Sequence, residues 1–267
     1  MHFLGYIASV LIGISLGLIG SGGSILTVPV LVYLFQVEPL LATTYSLSIV
    51  GLSSIAGVIS RLKQNLVDFK TLLFFGVPSI VGVFLARKFL LPAIPEAMHL
   101  TNNILLTKGH FIMLFFASLM LVSAITMMAG KNKKEIEGTL PIYGFSLIIV
   151  GLGEGILTGI VGAGGGFLII PALVILAKLP MKKAIASSLV IISIKSLVGF
   201  TGDLIHTTID WNFLYKIIVL ATLGIITGNY LNKKMDGAKL KKGFGLFVLG
   251  MSLFILIEQF FFSNLIK

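Results

Sequence analysis

Apolar residues come in long unbroken runs, not in alternating or helically spaced stripes. Runs of about 20 residues, the length a spanning helix needs, cover 40–60, 71–86, 111–130, 183–202, 217–231 and 243–257. Each is long enough, or nearly so, to cross a hydrocarbon core about 30 Å thick. The longest polar intervals, 87–108 and 229–243, are too short to bury a core of their own. The pattern predicts an all-α polytopic membrane protein. The short alternating segments of a β-barrel are missing. Interval 87–108, with prolines and mixed polarity, reads as a surface excursion with a short interfacial helix.

Two further apolar segments are interrupted by glycine. The first holds "GLIGSGGSILTVP" at 17–29, the second "GIVGAGGGFLIIP" at 159–171. Glycine inside a helix costs roughly 1 kcal/mol relative to alanine, so two dense clusters call for a reason. As one helix, residues 4–36 would extend about 50 Å, too long for one crossing. Two pieces joined at the glycines are expected, either a re-entrant hairpin or two short spans.

The clusters belong to a larger repeat. Shifted by 142 positions, residues 13–88 align with 155–230 without a gap, and 22 of the 76 pairs are identical. Ala42, Ser46 and Leu47 match Ala184, Ser188 and Leu189, and Asp68 matches Asp210. This is duplication. It divides the chain into a first transmembrane repeat (1–130), a basic linker (131–140) and a second repeat (141–267). Each repeat reads as a glycine-broken segment plus three transmembrane helices.

Charge orients the repeats. Loop 61–70 carries Arg61, Lys63 and Lys70, while its partner 203–212 carries no Lys or Arg. Loop 36–41 has none, while its partner 178–183 carries Lys178, Lys182 and Lys183. The preference swaps between halves, as oppositely oriented repeats require. With 61–70, 131–134, 178–183 and 233–242 inside, 14 of the 20 Lys and Arg face the cytoplasm. The expectation is two inverted-topology repeats with both termini outside.

Composition agrees. The chain is 57% hydrophobic and 11% charged, and has no cysteine, which excludes disulfides and thiolate metal sites. The net charge of +10 is spread over short loops facing anionic lipid, so nucleic acid is not an expected partner. The opening "MHFLGYIASV" has no basic n-region or cleavage motif and reads as a retained membrane segment. A homodimer is compatible with the composition, and no cofactor or metal motif is present in the sequence.

The breaks carry candidate chemistry. Backbone N–H groups freed at a break cannot face lipid, so they line a protein-buried or wet cavity. A helix starting after the glycines points its positive N-terminus into that cavity, a natural anion site. Gly20, Ser21, Gly22, Gly23 and Ser24 form the first candidate cradle. Gly162, Ala163, Gly164, Gly165 and Gly166 form the second. The alternative is close helix crossing through small residues. Ser46, Ser187 and Ser188 offer hydroxyls to an oxyanion, or bond back to helix carbonyls.

Lys195 lies about 12 residues into its span, where a lysine costs roughly 2.5 kcal/mol or more. It reads as a charge for an anionic substrate, or as one member of a structural pair with Glu154 or Asp203. Glu154 reads as a carrier of a coupling proton, or as the neutraliser of Lys195. Asp203, His206 and Asp210 read as a solvated loop cluster, with Trp211 beside it as an interfacial anchor.

The paired glycine blocks, each followed by an Ala-x-x-x-Ser-Leu span, resemble the TauE/SafE family of sulfite-exporter-like permeases. The resemblance spans almost the whole chain. One departure is Ser24, where the second block has Gly166. The resemblance implies an inner-membrane permease for a small anion, often sulfur-containing, such as sulfite or an organosulfonate. The expected function is a secondary transporter and not an enzyme, with the anion held at midplane between the two breaks. A passive anion channel is the alternative. An intramembrane enzyme using Asp203, His206 and Asp210 is the less favoured reading.

Overall fold

A computed structural model describes residues 2–101, 104–129, 142–204, 207–235 and 237–261. The linker at 131–140 and His206 lie outside them. Helix α1 (His2–Ile19) leads into a 3-10 stretch (Gly20–Leu26), one α-helical turn (Thr27–Pro29) and a π turn (Val30–Leu34). Helices α2 (Pro39–Leu62) and α3 (Phe69–Ala93) follow. An antiparallel hairpin of β1 (Ala97–Thr101) and β2 (Ile104–Thr107) precedes α4 (Lys108–Ala129). The second half contains α5 (Ile142–Val161), α6 (Gly166–Ile175), α7 (Met181–Asp203), α8 (Trp211–Lys234) and α9 (Gly237–Phe261). Among the described residues seven helical stretches are long and apolar enough to cross a membrane. The chain is an all-α polytopic membrane protein with one small hairpin. That hairpin stands where an interfacial helix was expected, and α3 continues through Ala93. Arg87 and Lys88 therefore sit in the last turns of α3, not in a loop.

The first broken segment turns back on itself. Gly20 adopts φ +70°, a left-handed conformation that a side chain would strain. The chain then returns along α1: Ser15 Oγ donates to the Gly23 carbonyl at 3.1 Å, and the Phe35 and Tyr6 ring centroids lie 5.5 Å apart. The two ends of the segment thus meet, as in a re-entrant hairpin. The second segment does likewise. Its break lies against Glu154 and Thr158 of α5, and Leu173 of α6 shares an apolar cluster with Leu147 of α5.

Helices α2 and α7 form the centre. In each, 72% of the apolar window is buried, against 39% for the other five spans. They run antiparallel: Gly51 packs on Leu197, Gly57 on Leu189 and Gly199 on Leu47. Ser193 Oγ donates across this interface to the Gly51 carbonyl at 3.2 Å. Around them α1 lies parallel to α8, and α5 parallel to α3. A Cβ on Gly13 would overlap the Ala221 carbonyl, and one on Gly155 would overlap the Ser79 carbonyl. These are the same contact shifted by one repeat. Close crossing through small residues is what these span glycines do. Outer faces expose large apolar side chains such as Leu73, Phe145, Leu223 and Phe254, as lipid contact demands.

The matched aspartates have a local explanation. Asp210 caps α8, its Oδ1 accepting from the amides of Asn212 and Phe213 at 3.0 Å each. Asp68 caps α3 by accepting from the Thr71 amide at 3.0 Å. Such caps contribute about 1 kcal/mol each. Each capped turn also docks on the opposite repeat. The Asp68 amide donates to Ser187 Oγ and the Asp210 amide to the Tyr45 hydroxyl, both at 2.9 Å.

Candidate functional site

The two glycine breaks meet at the centre of the molecule. Ser21 Oγ donates to the Gly166 carbonyl at 3.1 Å. A Cβ on Gly166 would overlap the Ser21 carbonyl, so the two backbones touch directly. In the second break Gly162, Gly164 and Gly165 all have positive φ, between +66° and +73°. Gly165 caps α6 from this left-handed conformation. The amides of Gly166 and Phe167 then start the helix without an intrahelical acceptor. Gly20, Ser21, Gly22, Gly23, Ser24, Ala163 and Gly166 are all buried.

Each break leans on the first turns of the other repeat's central helix. Gly20 sits against the Ile185 carbonyl and Ser188 of α7, and Gly162 against Thr43 of α2. The Ser21 amide reaches Ser188 Oγ at 3.4 Å. Ser187 lies one position away, and its Oγ accepts from the Asp68 amide, which holds the α2–α3 loop against α7. The hydroxyls of Ser24, Thr27, Ser46 and Ser196 are fully buried and, among the described residues, have no hydrogen-bond partner. Ser48 and Ser54 of α2 share this property. Ser196 stands beside Gly164.

Lys195 is fully buried and paired with Glu154, Nζ to Oε1 at 2.6 Å. Its ammonium also donates to Thr158 Oγ1 at 3.2 Å. Ser79 Oγ, from α3, donates to the other Glu154 oxygen at 2.5 Å. Gly165 lies directly on Glu154 Oε1 and Thr158. The ion pair therefore belongs to the second break, joining α3, α5 and α7. Of the two acids open to Lys195, the fold selects Glu154. Lys195 occupies the position of Ser53 in the first repeat, so the centre is chemically one-sided.

Asp203 is not in a solvated loop. It lies at the end of α7, buried, with Oδ2 2.7 Å from Arg87 Nη1. Thr44 Oγ1 donates to the same oxygen at 2.8 Å. This network ties α2, α3 and α7 together. Asp210 is spent as a helix cap. Apolar-run counting ended both α2 and α3 too early and so placed Arg61 and Arg87 in loops. Both are buried helix residues, 1% and 3% exposed. Arg61 Nη1 donates to Asn232 Oδ1 at 2.7 Å and Nη2 to the Gly17 carbonyl at 2.9 Å.

The family model for "Sulfite exporter TauE/SafE" matches residues 5–255. This chain belongs to the TauE/SafE family. A "Probable membrane transporter protein" of Xylella fastidiosa strain Temecula1 is 27% identical over 252 residues, covering 92% of this chain and 91% of the relative. "Probable membrane transporter protein YunE" of Bacillus subtilis is 28% identical, covering 87% and 90%. "Probable membrane transporter protein MJ0441" of Methanocaldococcus jannaschii is 27% identical, covering 85% and 82%. No solved structure matches the chain. The protein is thus a multi-pass membrane transporter of the TauE/SafE family. Beyond the two glycine blocks, this TauE/SafE chain places Ser79, Thr158 and Ser196 at its centre. Small hydroxyls inside apolar spans carried no distinguishing signal. One trace was available: Ser54 and Ser196 are repeat partners in an otherwise diverged stretch.

Proposed function

We propose that this transporter carries a small sulfur-containing oxyanion, such as sulfite or an organosulfonate, by alternating access around the contact of the two breaks. The observation that carries the reading is that contact itself. It brings a helix N-terminus, free buried hydroxyls and a lysine to one buried place. Inverted repeats with broken helices at midplane are a recurring transporter plan. The antiparallel packing of the equivalent helices α2 and α7 supports inverted halves, as does the return of each broken segment to the end from which it started. Both termini then lie outside the cytoplasmic membrane.

The pair at the second break suggests the coupling. Glu154 satisfies Lys195. An oxyanion at the break competes for the same ammonium. A proton on Glu154 removes the competitor, so a monoanion and a proton together leave the local charge unchanged. Glu154 is therefore the carrier of the coupling proton.

Proteoliposome flux tests this. Sulfite movement by the wild type follows an imposed pH gradient at zero membrane potential, and Glu154→Gln uncouples flux from the gradient. Wild-type flux indifferent to pH would end the proton role. No movement of sulfite or a sulfonate would end the substrate class. Topology has its own check, because the chain lacks cysteine. In intact cells an impermeant maleimide should label a single cysteine at Trp211, while one at Lys63 should label only from the inner face, after permeabilisation. Labelling from one face would reject the inverted arrangement.

A further inference from the structure

Four lysine or arginine side chains among the described residues are buried: Arg61, Arg87, Lys108 and Lys195. Three have a carboxylate partner: Asp203 for Arg87, Glu96 for Lys108 and Glu154 for Lys195. Arg61 has none within salt-bridge distance among the described residues. Its two terminal nitrogens meet only neutral acceptors, Asn232 Oδ1 and the Gly17 carbonyl. Among the described residues its Nε is buried with no hydrogen-bond partner, as are Nε and Nη2 of the acid-paired Arg87. An uncompensated buried charge is strongly unfavourable unless something of opposite sign visits it.

A structural role explains part of this. Arg61 caps the end of α1, where carbonyls carry partial negative charge. Capping does not need a full charge, however. Next to it the Leu18 carbonyl is capped by the neutral amide of Asn232. Nor does capping use Nε. The surroundings point the same way. Lys63 lies two residues beyond Arg61, and Lys233 and Lys234 follow its partner Asn232; all three are exposed. On the other side, the first break opens at Gly20, three residues after the capped Gly17. Exposed lysines, a buried guanidinium and a break rich in free donors follow one another. Such a cluster raises the local concentration of anions. The opposite end differs. There Arg87 lies against Gly162 of the second break, but Asp203 neutralises it, and Asp203 occupies the repeat position of Arg61.

We infer that Arg61 is an anion-binding residue at the mouth formed by the ends of α2 and α8, a subsite separate from Lys195 at the second break. Its terminal nitrogens are pinned by Asn232 and Gly17, which presents Nε–H and the remaining N–H groups to an oxyanion on its way to the first break. The inference rests on the oxyanion-transport reading. It adds that the two mouths are unequal: the buried arginine is neutralised by an acid at one and not at the other.

The test uses the full-length protein in nanodiscs, titrated with sulfite, sulfate and methanesulfonate, with sulfite flux measured in proteoliposomes. Arg61→Gln should weaken anion binding about tenfold or more, the scale of one lost charged hydrogen bond, and slow flux. Arg61→Lys should retain part of both. Asn232→Asp supplies the missing carboxylate, as Asp203 does for Arg87, and should weaken binding to a similar degree with Arg61 still present. Wild-type affinity and flux in Arg61→Gln would overturn the inference, whatever its melting temperature. If Arg61→Gln does not yield folded protein, wild-type affinity in Asn232→Asp overturns it instead. If the wild type neither binds nor moves any of the three anions, the oxyanion reading fails and takes this inference with it. If Lys195→Met abolishes binding while the Arg61 and Asn232 variants bind normally, only the Arg61 subsite fails.

Discussion

If the oxyanion-transport reading holds, Lys195→Met should abolish sulfite flux and lower the melting temperature of the purified protein. The loss of stability follows from the geometry, and the loss of flux from the proposed role of the ammonium. The ammonium is fully buried and held 2.6 Å from Glu154. Removing it strands a carboxylate in a low-dielectric interior, which costs about 3–5 kcal/mol. Loss of flux in this variant alone would therefore not separate chemistry from folding. The double variant Lys195→Met/Glu154→Gln does so. It removes both charges at nearly constant volume, and replacing a buried pair by neutral groups is often neutral or stabilising. Its melting temperature should return towards the wild-type value while flux stays absent. Wild-type flux in the double variant would show that the pair only holds α5 and α7 together.

Gly166→Ala is the second large effect, this time on assembly. A methyl group there runs into the carbonyl oxygen and carbon of Ser21, which are backbone atoms, so no flexible side chain can give way. Overpacking costs typically about 1–3 kcal/mol and more where backbone must shift. The variant should lose most of its monodisperse, folded yield, or melt far below the wild type. Gly153→Ala is the control. It lies beside Glu154 in α5, but a methyl group added there would meet nothing within 4 Å. Alanine there gains helix propensity, about 1 kcal/mol relative to glycine, and should be neutral or stabilising. Equal stability of the two variants, measured by thermal unfolding in detergent, would refute the contact between the breaks.

Much of this architecture was legible in the chain. Long apolar runs mark spans because hydrocarbon leaves no other way to satisfy a helix-length apolar segment. The repeat marks equivalent elements, and the glycine clusters mark the reversals. Gly20 and Gly162 adopt matching left-handed conformations, the local event that a duplicated glycine implies. Asp68 and Asp210 were visible as matches but not as caps. The arginines were misread for a specific reason. Hydropathy scores a residue by type, and a charged residue at the edge of an apolar run looks like the start of a loop. Arg61 and Arg87 are inside because partners from distant helices receive them.

By itself, then, the sequence determined the helical class, the location of the spans though not their ends, the duplicated halves and the two breaks. Those depend on local composition and backbone preference, which act within a few residues. The tertiary structure alone decided that the breaks touch, that Glu154 and not Asp203 takes Lys195, and that Arg61 is left without an acid among the described residues. Those outcomes depend on which helix faces which, at what height and in what direction. Packing sets these across separations such as the 145 positions between Ser21 and Gly166, beyond the reach of any local pattern.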